Sequence, residues 1–75
     1  MEEFKSGSRP ATQIGYVNDN KQKCLGTRGR DGSDHFQKAY KMECLVCGHI
    51  YGANGTDIFQ RKCPGCQDGA LGPDF

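Results

Sequence analysis

Between residues 36 and 44, "FQKAYKMEC", apolar and polar positions alternate: Phe36, Tyr40, Met42 and Cys44 share one face, Gln37, Lys41 and Glu43 the other, and only Lys38 intrudes. A period of two predicts a half-buried β-strand. It runs directly into a cysteine. A weaker alternation in "IGYVN" sets Ile14, Tyr16 and Asn18 on one side and Val17 on the other, followed by turn residues "DNK" and a possible return strand "QKCLGT". Residues 14–27 are therefore expected to form an N-terminal β-hairpin. Further on, "HIY" reads as a short strand and "ANGT" carries the Asn-Gly step of a tight hairpin turn. The segment after it, "DIFQRK", fits either the returning strand or one helical turn capped by Thr56 or Asp57. "RGRDGSD" (28–34), without a large apolar group, reads as an exposed loop. Residues 1–12 show no period and read as a flexible arm, leaving residues 13–75 as a single domain.

Length changes the picture. A chain of 75 residues buries only about 60% of the surface its unfolded form exposes, so an apolar core alone leaves it marginal. With no Trp and scattered apolar side chains, the core must be thin. A staple is expected. Eleven glycines and three prolines point to a turn-rich, β-leaning fold rather than a helical one.

The staple is legible in "CLVCGHIYGANGTDIFQRKCPGC" (44–66), where two C-x-x-C pairs lie fifteen residues apart. Each pair can bring two sulfurs into one coordination sphere, because the tight turn between them aims backbone N–H groups at the thiolates; two such turns make a tetrahedron. The spacing lies in the range of four-cysteine zinc sites. Four thiolates suit zinc or a single iron. "MEEFKSGSRPATQ" has no apolar run after a basic start, so neither a secretory signal nor a membrane span is expected there, and a cytoplasmic location is expected. Disulfides are disfavoured in that compartment, and five cysteines cannot all pair within one chain. A redox dithiol is the rival reading of "CPGC", but such motifs open a helix, and no helical pattern follows here. Cys24, outside both pairs, is expected to be a small buried hydrophobe.

At these residues the chain resembles the zinc ribbons and rubredoxin-like domains: "CLVCGHIY" looks like the first knuckle of that family and "KCPGC" like its second, over roughly residues 42–70. The resemblance implies Cys44, Cys47, Cys63 and Cys66 as metal ligands and a positive φ at Gly48, letting its N–H approach sulfur. The implied fold is a small β-rich, metal-stapled domain, a rubredoxin-like zinc ribbon (42–70) with the hairpin 14–27 beside it. One position departs from the pattern. The family usually places Gly after the fourth cysteine, where this chain has Gln67, so the second turn should be shaped differently, with Gly65 or Gly69 absorbing part of it. The short inter-knuckle segment and the absence of Trp favour zinc over iron. Tyr51 and Phe59 are expected to shield the site or fill the core.

Four cysteines close the coordination sphere, whereas a catalytic zinc keeps a position open. The expected zinc is structural and the protein no enzyme. His49 reads as a strand surface residue. "DH" (34–35) brings to mind the metal-binding turn of His-Asn-His nucleases, but it precedes both knuckles instead of lying between them; a turn that bonds its own backbone is the simpler reading. Formal charge is +1, and four thiolates with one Zn²⁺ bring it to about −1, which is no nucleic-acid signature. Its distribution says more. Lys21, Lys23, Arg28, Arg30, Lys38 and Lys41 face only Asp31 and Asp34 in that stretch, and Arg61 and Lys62 adjoin the second knuckle. The expected role is a nucleic-acid-binding module or accessory factor touching DNA or RNA phosphates through Arg28, Arg30, Lys38, Lys41, Arg61 and Lys62. The alternatives are an adaptor presenting "GANGTDIF" to a larger protein and a rubredoxin-like iron electron carrier.

Overall fold

A computed structural model describes residues 4–29 and 38–75. Strands β1 (Gln22–Cys24), β2 (Ala39–Cys44) and β3 (Ile50–Asn54) form one antiparallel sheet in the order β1-β2-β3, with short 3-10 helices at Pro10–Thr12 and Ile58–Gln60. β2 is the alternating strand expected from the sequence. Its Tyr40, Met42 and Cys44 are buried while Lys41 and Glu43 are partly exposed. Register aligns Cys24, Met42 and Tyr51 across the three strands, with Tyr40 opposite Ala53. These five residues and Ile58 make up the core. Phe36 and Gln37 lie outside the described residues.

The N-terminal hairpin is present in reduced form. Gly15 N–H donates to Cys24 O (2.9 Å), Cys24 N–H to Tyr16 O (2.8 Å) and Asn18 N–H to Gln22 O (3.1 Å), while Val17 pairs with Lys23. Its turn is built by Asn18, whose Oδ1 accepts from the N–H groups of Asn20 (2.8 Å) and Gln22 (3.1 Å). An Asn side chain can substitute for backbone in this way. The same side chain then reaches across the fold: its Nδ2 donates to Ile58 O (2.8 Å) and Arg61 O (3.0 Å), satisfying carbonyls at the end of the second 3-10 helix.

One open alternative is decided and two expectations need correcting. The Asn-Gly step is followed not by a returning strand but by the helical turn that was the other reading: β3 ends at Asn54, Asp57 N–H closes a turn onto Asn54 O (2.9 Å), and the 3-10 helix follows with Asp57 at its N-cap. That turn lets Ile58, fully buried, plug the core. Phe59 points away and is 57% exposed, so it shields nothing. From Phe4 onward, the segment read as a flexible arm is tied down: Lys5 and Thr27 exchange both main-chain hydrogen bonds (2.8 and 2.9 Å), and Pro10 opens the first 3-10 helix. Composition could not reveal these contacts because they are made with residues some twenty positions away. Gly7 permits a further close approach, since a Cβ there would overlap the Tyr40 hydroxyl.

Candidate metal centre

Cys44 ends β2, and residues 45–47 turn the chain toward β3, so the first C-x-x-C pair is the tip of the β2–β3 hairpin. Gly48 adopts φ +80°, as the resemblance implied, but its N–H donates to Cys44 O (2.8 Å) and not to a sulfur. The second pair follows the 3-10 helix Ile58–Gln60, whose C-terminus the hairpin residue Asn18 holds in place. The four sulfurs of Cys44, Cys47, Cys63 and Cys66 lie within 4.8 Å of one another. Cys44 and Cys66 sulfurs are 3.6 Å apart, as are those of Cys47 and Cys63. A tetrahedral zinc with bonds of about 2.3 Å requires sulfur separations of about 3.8 Å. Two of the six separations come close to that value, and none exceeds 4.8 Å. Cys44 and Cys63 are buried and Cys47 and Cys66 exposed, so the centre lies at one end of the sheet with half of its donors at the surface.

The surroundings are donors, which is what thiolates need. Val46 N–H points to Cys44 Sγ (3.4 Å), and the N–H groups of Gly65 (3.3 Å) and Cys66 (3.4 Å) point to Cys63 Sγ. Burial opposes ionisation of Cys44, but hydrogen bonds from the Gln22 side chain and from the Cys47 and Val46 N–H groups outweigh it and bring the thiol down to about 6. At Cys47 the His49 N–H and the Cys66 sulfur favour the thiolate, yet loss of solvation together with Cys63 and Cys44 leaves its pKa raised. Cys66 is pushed up to about 12, first by its hydrogen bond with Cys47 and then by loss of solvation and by Cys44 and Cys63. Four sulfurs this close cannot all ionise unaided. A divalent cation removes that conflict.

Two glutamines complete the site. Gln22 is fully buried; its Nε2 lies 3.3 Å from Cys44 Sγ, 3.2 Å from Gln67 Oε1 and 2.9 Å from Asn20 O, and its Oε1 accepts from the Tyr51 hydroxyl (2.7 Å). Gln67 Oε1 accepts from Cys63 N–H (2.9 Å) and Gln67 Nε2 donates to Asn20 O (3.0 Å). This side chain fastens the second C-x-x-C turn to the N-terminal hairpin. The left-handed conformation moves one residue on, to Asp68 (φ +58°), and not to Gly65 or Gly69. Gly69 is needed for another reason: a Cβ there would overlap the Lys62 carbonyl. Gln22 has no signal in the local pattern beyond its place opposite Cys44 in the register, which the sequence alone does not show.

The other expected site residues are dispersed. Arg61 is buried, its guanidinium 5.3 Å from the Tyr51 ring centre and its Nη2 donating to Ala70 O (2.5 Å), which removes it from any phosphate-contacting surface. Packing on an aromatic face is a common fate of arginine. That cation favours ionisation of Tyr51, but burial prevails and pushes the phenol up to about 12. Arg28 and Lys41 converge on a pair of aromatic rings, with cationic groups 5.7 and 5.2 Å from the Phe4 centre, and Arg28 Nη2 donates to Phe75 O (2.6 Å). Lys38 and Lys62 are exposed. Arg30, Asp34 and His35 lie outside the described residues. His49 is exposed and stacks on Tyr51 (5.9 Å), and Cys24 is buried in the core, apart from the sulfur cluster.

No family model matches this sequence, and no curated protein and no solved structure is significantly similar to it. What is established is a cluster of four cysteines within metal-binding distance in a small β-rich fold, consistent with a zinc-ribbon-like site. No helix among the described residues is long and apolar enough to cross a membrane.

Proposed function

We propose that this chain is a non-enzymatic module whose fold is held by one structural zinc ion on Cys44, Cys47, Cys63 and Cys66, and that it works by binding nucleic-acid phosphates. The observation that carries the metal reading is the four-sulfur cluster itself, all within 4.8 Å, with two of its separations at 3.6 Å, close to the edge of a tetrahedral zinc site. When bound, zinc would supply charge neutralisation and a cross-link between the β2–β3 hairpin and the chain after Gln60. Four thiolates leave no position for a substrate. Metal analysis of protein expressed at native level should find one zinc per chain in a colourless sample without a reversible redox wave, because zinc has no accessible d–d or redox transitions. A red preparation that bleaches on reduction would instead support the iron electron carrier.

The nucleic-acid part rests on the cations that remain at the surface: Arg28, Lys38, Lys41 and Lys62, with Arg61 withdrawn. Neutralising about four phosphates gives a log–log salt slope of roughly −3.6 on duplex DNA and −2.8 on a single strand. Fluorescence anisotropy across a salt series should show weak, sequence-tolerant binding with that dependence. Replacing Lys38 and Lys62 by Gln should roughly halve the slope. Absence of binding at low salt by zinc-loaded protein would replace this reading with the protein-adaptor one.

A further inference from the structure

The four clustered cysteines are not equivalent. Cys47 and Cys66 are exposed while Cys44 and Cys63 are buried, and each exposed sulfur has a buried one 3.6 Å away: Cys66 beside Cys44, and Cys47 beside Cys63. Both close pairs join one C-x-x-C turn to the other, across 22 and 16 positions of sequence. The buried members are held in place. Val46 N–H and the Gln22 amide point to Cys44 Sγ, and the N–H groups of Gly65 and Cys66 point to Cys63 Sγ.

An exposed sulfur backed by a buried one suits a two-stage oxidation, in which the first meets the oxidant and the second resolves the product. A disulfide brings its sulfurs to about 2 Å, so a pair already at 3.6 Å has little distance left to close. Cys24 is buried in the core and lies outside the cluster, which leaves it without a second sulfur to pair with.

We propose, on the reading that these four cysteines hold zinc, that hydrogen peroxide converts the cluster into two disulfides, Cys44–Cys66 and Cys47–Cys63, and so frees the metal while the two turns stay joined. An exposed thiolate attacks the peroxide: an S–O bond forms, the O–O bond breaks and hydroxide leaves, giving a sulfenic acid. The buried thiolate beside it then attacks that sulfur; the S–S bond forms, the S–O bond breaks and a second hydroxide leaves. Two such rounds take four electrons from four thiolates and reduce two peroxides to four hydroxides. No anionic sulfur is then left to hold a cation.

The test uses the full chain, its metal content measured beforehand, treated with two equivalents of hydrogen peroxide at neutral pH while a coloured indicator reports released zinc. Remaining thiols are alkylated and the protein is digested with trypsin without reduction. Cleavage after Lys41, Arg61 and Lys62 places Cys44 and Cys47 on one fragment and Cys63 and Cys66 on another. The expected results are loss of four thiols with Cys24 retained, release of one zinc per chain, and a product of one chain's mass whose two fragments stay joined until a thiol reductant parts them. Mass spectrometry should place the bridges at Cys44–Cys66 and Cys47–Cys63. Fragments that separate without reduction would show bridges within each turn and overturn the proposal. So would the pairing Cys44–Cys63 with Cys47–Cys66, or survival of all five thiols. A chain that carries no zinc beforehand refutes the zinc reading alone, because the digest reports which sulfurs pair whether or not metal was bound.

Discussion

Stripping zinc with a strong chelator at neutral pH should unfold the domain, with loss of amide dispersion and of the β signature in circular dichroism. The size of the effect follows from two magnitudes. Structural zinc contributes about 10–16 kcal/mol of apparent binding energy, whereas whole domains are stable by only about 5–15 kcal/mol. Here the buried core has six residues, one of them a cysteine and one an alanine. It cannot replace the ion. Cys44→Ser or Cys63→Ser, at the buried ligands, should give the same unfolded spectrum, and acid should promote release because protons compete for the thiolates. Cys24→Ser is the control. Its thiol is buried in the core, where burial raises its pKa, and a hydroxyl there should cost about 1–3 kcal/mol while one equivalent of metal is retained. A chelated protein with an unchanged spectrum would refute the staple.

Gln22→Leu should destabilise the zinc-loaded protein by about 2–4 kcal/mol, an unusually large loss for a polar-to-apolar change at a buried position. Burial of the added apolar surface does not offset it, because the substitution removes the partner of the Tyr51 hydroxyl and one donor to Cys44 Sγ, while Gln67 Oε1 and Asn20 O keep their other partners. Each buried group left unpaired costs about 1–3 kcal/mol. Loss of a side chain that orients a metal ligand also typically weakens the metal 10–100-fold, or about that range here. Denaturant unfolding gives the first quantity and competition with a coloured chelator the second. If both match the unsubstituted protein, Gln22 is a spectator.

These two experiments separate the ion from the network that positions it. A metal on the four cysteines would join the β2–β3 hairpin to the second C-x-x-C turn, and Gln22 and Gln67 join both to the N-terminal hairpin, so the site draws on three stretches of chain.

The sequence by itself determined the features whose physics is local. The alternation around Tyr40 and Met42 marks β2 because side chains along a strand change face at every residue, and the two C-x-x-C turns mark the sulfur cluster because their geometry is closed within four residues. Gly48 follows from the same turn. Only the tertiary structure decided the rest, because it depends on contacts between distant residues. Asn18 terminates a helix forty positions away, Gln67 replaces a glycine by bonding to the hairpin at Asn20 and Gln22, and Arg61, one cation among several in the sequence, is withdrawn beneath Tyr51. The Asn-Gly step permits a hairpin or a helical turn alike. The core's need for Ile58 selected the second. A pattern along the chain reports which face a residue prefers, but which partner meets that face is fixed only when the strands take their register.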